Sequence, residues 1–165
     1  MMNCSYLRRA TVFALGLLTI ALILAGNTVA RSVEPSTEKR AVIAANTAFY
    51  KAFREEDVEA MDGLWARSVE ASVIHPGWNG IVGRGDVMRS WRNIIVSGGA
   101  PKVFPQKPVV TIHAGTATVL CYEKIDDAYL VATNIFVKED GAWRLIHHHA
   151  APAPTAGTLF KGDPA

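Results

Sequence analysis

Three consecutive histidines, His147-His148-His149, follow an apolar run that carries Asn134, and far upstream His75 stands directly before Pro76-Gly77-Trp78. Imidazole exchanges protons near neutral pH, a carboxamide both donates and accepts hydrogen bonds, and indole offers a flat apolar wall. Such a set suits a pocket that holds a small organic molecule and moves a proton on it. The expected roles are His75 as base, with Asn134 or His148 as hydrogen-bond donors, and Tyr50, Trp78, Trp91, Tyr122 and Phe136 as ligand contacts. Each has a plainer alternative: the His75 ring capping its own turn, Trp91 serving as core, Tyr50 lying on the surface. The histidine triplet also invites a metal. Adjacent strand residues point to opposite faces, however, so at most His147 and His149 chelate together, and no Cys or carboxylate stands nearby in sequence. No metal and no cofactor is expected, and no Ser-His-Asp order, phosphate loop or paired-carboxylate motif occurs.

The elements that must position these residues follow from periodicity. Ala41, Ala45, Ala48, Phe49, Ala52 and Phe53 recur at helical spacing from Glu38 onward, with Thr37 as cap. Asp57 caps a second, short helix through Val58, Met61, Leu64 and Trp65, and a third is expected from Asp86 to Val96, closed by Gly98-Gly99. Val69 to Ile74 reads as a strand ended by His75-Pro76-Gly77. After Pro101 the pattern turns to strands: Val109 to His113, Thr116 to Tyr122, Tyr129 to Val137 and Ala142 to Ala150. The fold class is α+β, a curved antiparallel sheet around three N-terminal helices.

Residues 1–30 carry Arg8 and Arg9, then a charge-free stretch from Ala10 to Ala30 ending in Thr28-Val29-Ala30. This is the pattern of a secretory signal, so export to the periplasm or the medium is expected; an uncleaved membrane anchor over residues 10–30 is the alternative. A polar leader over 31–37, a domain over 38–152 and a flexible tail over 153–165 complete the organisation. With Arg8 and Arg9 removed, the 17 basic residues fall to 15, matching 15 acidic ones. A near-neutral domain whose cations are scattered singly offers nucleic acid no basic stripe. Cys4 leaves with the signal, and Cys121, alone in an apolar strand, reads as a small buried hydrophobe.

The turn at Glu139-Asp140-Gly141 decides which histidine meets Asn134. A three-residue turn with a bulge sets Asn134 opposite Ile146 and Ala132 opposite His148, sending His148 inward and Ile135, Trp143, Leu145, His147 and His149 outward. A two-residue Asp140-Gly141 turn puts His147 and His149 on the Asn134 side instead.

Phe49-Tyr50-Lys51-Ala52-Phe53, His75-Pro76-Gly77-Trp78 with Gly83 and Trp91, and Thr133-Asn134-Ile135-Phe136 with Trp143-Arg144-Leu145 and His148-His149 resemble, in that order, the nuclear-transport-factor-two-like superfamily, in its SnoaL-like branch. The resemblance covers about Lys39 to Pro152. It implies a cone: a curved sheet wrapped on helices, with a pocket at the open end and homodimer contacts on the outer sheet face. Ala71 to Pro76 looks like the strand end where ketosteroid isomerase carries its base, a role that falls on His75. That enzyme also needs a tyrosine and a protonated acid, for which Glu123 is the one acid at a candidate inward position. The closing hairpin is similar to the association domain of calcium/calmodulin-dependent protein kinase two, whose pocket arginines hold carboxylates. Asn134 and Ala150 stand at those positions here, which implies a neutral or weakly polar ligand. Two functions follow as expectations: an exported isomerase, dehydratase or cyclase with a histidine base, or a non-catalytic ligand-binding or oligomerisation module. An apolar patch of Ile135, Trp143 and Leu145 on the outer face is the expected dimer contact.

Overall fold

The computed structural model describes residues 35–98 and 100–156, with side chains from Thr37 onward. The expected signal segment, most of the leader and the end of the tail lie outside the described residues. Helix α1 (Pro35–Arg54) is followed by α2 (Val58–Leu64), β1 (Ser72–Ile74), β2 (Ile81–Val82), α3 (Arg84–Val96), and four long strands, β3 (Phe104–His113), β4 (Thr116–Ile125), β5 (Ala128–Glu139) and β6 (Ala142–Ala153). The six strands form one sheet in the order β2-β1-β6-β5-β4-β3. All pairings are antiparallel except β1 with β6, which brings the early strand alongside the last one. This is the expected α+β cone, with the early strand between the second and third helices as expected and β2 added beside it.

Local rules account for most boundaries. Asp57 accepts from the Ala60 amide at 2.8 Å and caps α2. Helix α1 begins earlier than its periodicity suggests, and Thr37 lies within its first turn, where its hydroxyl accepts from Arg40. Its buried stripe is Val42, Asn46, Phe49, Tyr50, Ala52 and Phe53, whereas Ala41 is exposed and Ala45 and Ala48 half-buried. The alanine series therefore marks the flank of the buried face. β2 was not expected at all; its two residues pair with Ser72 and Val73.

The β5–β6 hairpin departs from both expected arrangements. Glu139 pairs with Ala142 across a two-residue turn, with Asp140 at φ 50° and Gly141 at φ 78°. Positive φ at both central positions is the signature of a type I′ turn. That turn sets Phe136 opposite Leu145, and one extra residue, Ile146, then enters β6 as a bulge, so that Ile135 faces His147 and Asn134 faces His148. His148 thus points inward, as expected from the three-residue turn, but by a different route. Leu145 and Trp143, expected outside, are buried at 0% and 6% exposure within the core. The outer apolar patch loses both. What remains on the convex face is Ile135, with Leu120 and Val131 from neighbouring registers, all half-buried.

Candidate functional site

The concave face of the sheet and the ends of α1 and α3 enclose a cavity of about 230 Å³. Its walls are apolar and rich in aromatics: Phe49, Tyr50 and Phe53 from α1, Trp91 from α3, and Trp78 from the turn after β1, with Ile94, Ile125 and Leu130 among the aliphatic residues between them. Trp78 is half-exposed at the rim, whereas Trp91 is buried at the floor, with Phe49 and Phe53 edge-on to it at 5.3 and 5.4 Å. The polar lining consists of His75, His148 and Glu123, and no lysine or arginine contributes to the wall.

His75 and His148 arrive from different parts of the chain. β1 runs parallel to β6 with Val73 opposite His148, so Val73 and, two places on, His75 share the inner face. The two imidazoles approach the Trp91 ring, at 4.6 and 5.5 Å between centroids. The His75 ring does not cap its turn, which is closed by the Trp78 amide donating to the His75 carbonyl. Instead His75 Nε2 lies 2.9 Å from Ser90 Oγ. The Ser90 hydroxyl donates its single proton to the Val87 carbonyl at 2.8 Å, so it accepts from the ring. The tautomer follows: His75 carries its proton on Nε2 and leaves Nδ1 with a free lone pair.

His148 is fixed by its hydrogen-bond partners in the same way. Asn134 Nδ2 donates to Asn46 Oδ1 at 2.7 Å and to Tyr50 Oη at 3.0 Å, so Asn134 Oδ1 faces His148 Nδ1, 2.6 Å away, and accepts from it. His148 Nε2 is therefore the unprotonated nitrogen. Tyr50 passes the chain on, donating to Glu123 Oε1 at 2.8 Å. Asn134 is buried beneath the cavity wall with its amide protons and carbonyl engaged, so it orients His148 and has no proton to offer a ligand. His148 likewise spends its only proton on Asn134. The expectation that these two donate to a ligand is corrected on that ground.

Burial sets the charge states. It pushes His75 down to about 4 and His148 to about 3, the latter helped by the positive charges that neighbouring histidines would carry. Burial raises Glu123 to about 7, against the lowering effect of the Tyr50 hydrogen bond. It lifts the Tyr50 hydroxyl well above its usual range, with Glu123 adding to the rise, and Cys121 to about 12. Cys121 is a buried thiol against Tyr50 Oη at 3.4 Å and not a nucleophile.

Two expected ligand contacts are placed elsewhere. Tyr122 follows Cys121 and precedes Glu123, both inward, so strand alternation sends it to the convex face, edge-on to Tyr129 at 6.4 Å. Phe136 is core, paired with Leu145 below the cavity. Asn46 and Ser90, which fix the two histidine tautomers, were not anticipated. The signal for Asn46 is a lone amide in line with Val42, Phe49 and Phe53 on a helix face that is otherwise apolar or aromatic; Ser90 gives none, since a serine beside an arginine in a helix reads as solvent-facing.

The family model of the SnoaL-like domain matches residues 42–155. Among solved structures, a dehydratase candidate of the NTF2-like family from Streptomyces avermitilis is 33% identical, with a TM-score of 0.67, over 73% of this chain and 99% of that one. A candidate calcium/calmodulin-dependent protein kinase type II association domain from Thiobacillus denitrificans is 30% identical, with a TM-score of 0.57, over 67% and 94%. The Arabidopsis thaliana F-box protein SKIP8 is 27% identical over 114 residues, 68% of this chain, which spans about half (49%) of that curated relative. The three sequence motifs, the interleaved helices and curved sheet, and a family match over most of the chain converge: the chain belongs to the SnoaL-like domain family of the NTF2-like superfamily.

Proposed function

We propose that this SnoaL-like domain binds a small, largely apolar organic molecule in its aromatic cavity and catalyses a proton transfer on it, as an isomerase, dehydratase or cyclase with His75 as base. The observation that carries the reading is a pair of cavity-lining imidazoles, each held by one ring nitrogen, to Ser90 or through Asn134, with the other nitrogen bearing a lone pair. Burial keeps both neutral at physiological pH, so the base needs no prior deprotonation. A proton taken from the substrate onto His75 Nδ1 returns to a different atom, giving an isomer, or to a departing hydroxyl, giving water and a double bond. Asn134 acts through His148 as a positioning residue. The dehydratase candidate from Streptomyces avermitilis favours this class of reaction.

The test begins with a ligand captured from native-host extract and identified by native mass spectrometry. His75→Ala and His148→Ala are expected to abolish its turnover while keeping the far-ultraviolet dichroism of the parent. Undiminished turnover in both variants overturns the reading. A ligand held but never altered supports the second reading, a non-catalytic binding or assembly module, which the similarity to an association domain favours.

We also propose a homodimer through the convex face, resting on Leu120, Val131 and Ile135 once Trp143 and Leu145 are counted with the core. Light scattering at micromolar concentration that finds only monomer removes it. Export is proposed on the N-terminal sequence alone; among the described residues no helix is long and apolar enough to cross a membrane. Amino-terminal sequencing of native protein is expected to begin after Ala30, and a start at Met1 or Met2 favours the anchor.

A further inference from the structure

Apart from the Trp91 indole N–H, which is buried without a partner among the described residues, the open polar positions of the cavity are acceptors. His75 Nδ1 and His148 Nε2 are lone-pair acceptors, by the tautomers that Ser90 and Asn134 impose. The Glu123 carboxyl is 4% exposed, and Tyr50 is its one hydrogen-bond donor among the described residues. His148 Nε2 and Glu123 Oε1 stand 3.8 Å apart, too far for a direct bond and with no donor between them. Acceptors so placed in an apolar cavity call for donors from the ligand, because an unmet buried acceptor costs free energy. The surrounding walls include Phe49, Phe53, Trp78 and Trp91, rings of the kind that attract cations, and no lysine or arginine lines them.

We infer that the cavity is built for an aromatic or alicyclic ligand bearing a protonated amine, whose ammonium is anchored by Glu123 and donates to His148 Nε2. This rests on the small-molecule reading above and names its chemical class. The ammonium supplies hydrogen-bond donors to Glu123 and His148, whose open positions are acceptors, and its charge is balanced by a carboxylate that lacks a cationic partner among the described residues. Phe49, Trp78 and Trp91 enclose its apolar body. His75, on the side of Trp91 nearer the rim, is left free to act on an adjacent atom. Carboxylate ligands are disfavoured by the same arrangement, since they would meet Glu123 and two lone pairs with no cation to hold them.

The groups facing the Glu123 carboxyl are Tyr50 from α1, Cys121 from its own strand, and His148 from β6 with His75 beyond it. Of these only Glu123 changes charge between pH 6 and 8, so an ammonium should bind more tightly as pH rises across that range. The test is calorimetric titration of the purified protein with 2-phenylethylamine, 2-phenylethanol and phenylacetate at pH 6 and pH 8. The amine is expected to bind most tightly, more so at pH 8, and phenylacetate not at all. Glu123→Gln should weaken the amine by about thirtyfold and leave the alcohol within about threefold, as expected for removal of a buried charge partner. Glutamine keeps an oxygen for the Tyr50 hydroxyl, and thermal melting checks that the variant folds. Alcohol binding as tight as amine binding, or an amine affinity indifferent to Glu123→Gln, overturns the amine assignment while leaving the apolar-cavity reading in place. Preference for phenylacetate, or no binding of any of the three, overturns the amine assignment, and the preference for an anion overturns the largely apolar site with it.

Discussion

His147, His148 and His149 are three copies of one side chain on one strand, and the two faces of the sheet treat them differently. His148 is 3% exposed, pinned by Asn134 and packed against Phe49 and Trp91. His147 and His149 lie half-buried on the convex face, 6.5 Å apart, and His147 Nδ1 meets Ser72 Oγ at 2.8 Å. Residue type alone does not decide which of the three histidines lines the cavity. What sets His148 apart is its surroundings: an amide whose own orientation is dictated by Asn46 and Tyr50, below an apolar cavity.

The sharpest way to break the inner arrangement is Asn134→Leu. It strands the His148 Nδ1 proton and Asn46 Oδ1 in a buried setting, so a loss of about 2–4 kcal/mol in urea denaturation is expected. A loss below about 0.5 kcal/mol would mean that the network contributes nothing net, as a well-packed apolar replacement sometimes allows.

Acid titration sharpens the contrast further. His75 at about 4 and His148 at about 3 lie below the ordinary 6.5, so the unfolded chain binds more protons than the folded one beneath pH 6.5. Their contribution is whole above 6.5 and is lost as pH falls toward those lower values. Glu123 has the opposite sign: raised from 4.5 to about 7, it favours the folded state below 4.5 and loses that contribution as pH climbs through 7. Two histidines outweigh one carboxyl between 4.5 and 6.5, so urea midpoints should rise with pH there and stop rising near 7. In Glu123→Gln the rise should be steeper and the plateau should extend to higher pH. A flat profile between 4.5 and 6.5 contradicts the buried neutral imidazoles.

The smallest effect is expected outside. His147→Ala removes the Ser72 contact from a half-buried surface, a change of within about 1 kcal/mol. If His147→Ala abolishes turnover of the captured ligand while His148→Ala does not, the assignment of faces is wrong.

Much of this was legible in the sequence, and the gaps have physical causes. Strand alternation, the Asp57 cap and the proline-glycine turn after His75 announce themselves through local chemistry, and the order of motifs carries the cone. The bulge at Ile146 does not, because isoleucine is at home on either face and gives the pattern no break to mark an extra residue. Trp143 and Leu145, on the turn side of the bulge, face the core because the turn has two residues, and the expectation of a three-residue turn places them outside. The α1 stripe was displaced because alanines look buried at helical spacing while Asn46 and Tyr50 look polar, when the polar pair in fact closes the inner network. Glu123 was legible only as a candidate, since its meaning depends on Tyr50, 73 residues away.

The Asp140-Gly141 turn has a consequence for the order in which the site comes into being. Asn134 and His148 are only 14 residues apart and face each other across a hairpin whose tight turn favours rapid closure, on the order of microseconds for an isolated hairpin. Their other partners are remote: Asn46 is 88 residues from Asn134, and Ser72, which leads the strand to His75, is 75 from His147. Closing loops of that length carries a larger entropic cost and comes late. These separations predict that the Asn134–His148 pair forms as a local nucleus and that His75 joins it later through the parallel docking of β1, with the last strand of the chain as the template on which the first is aligned.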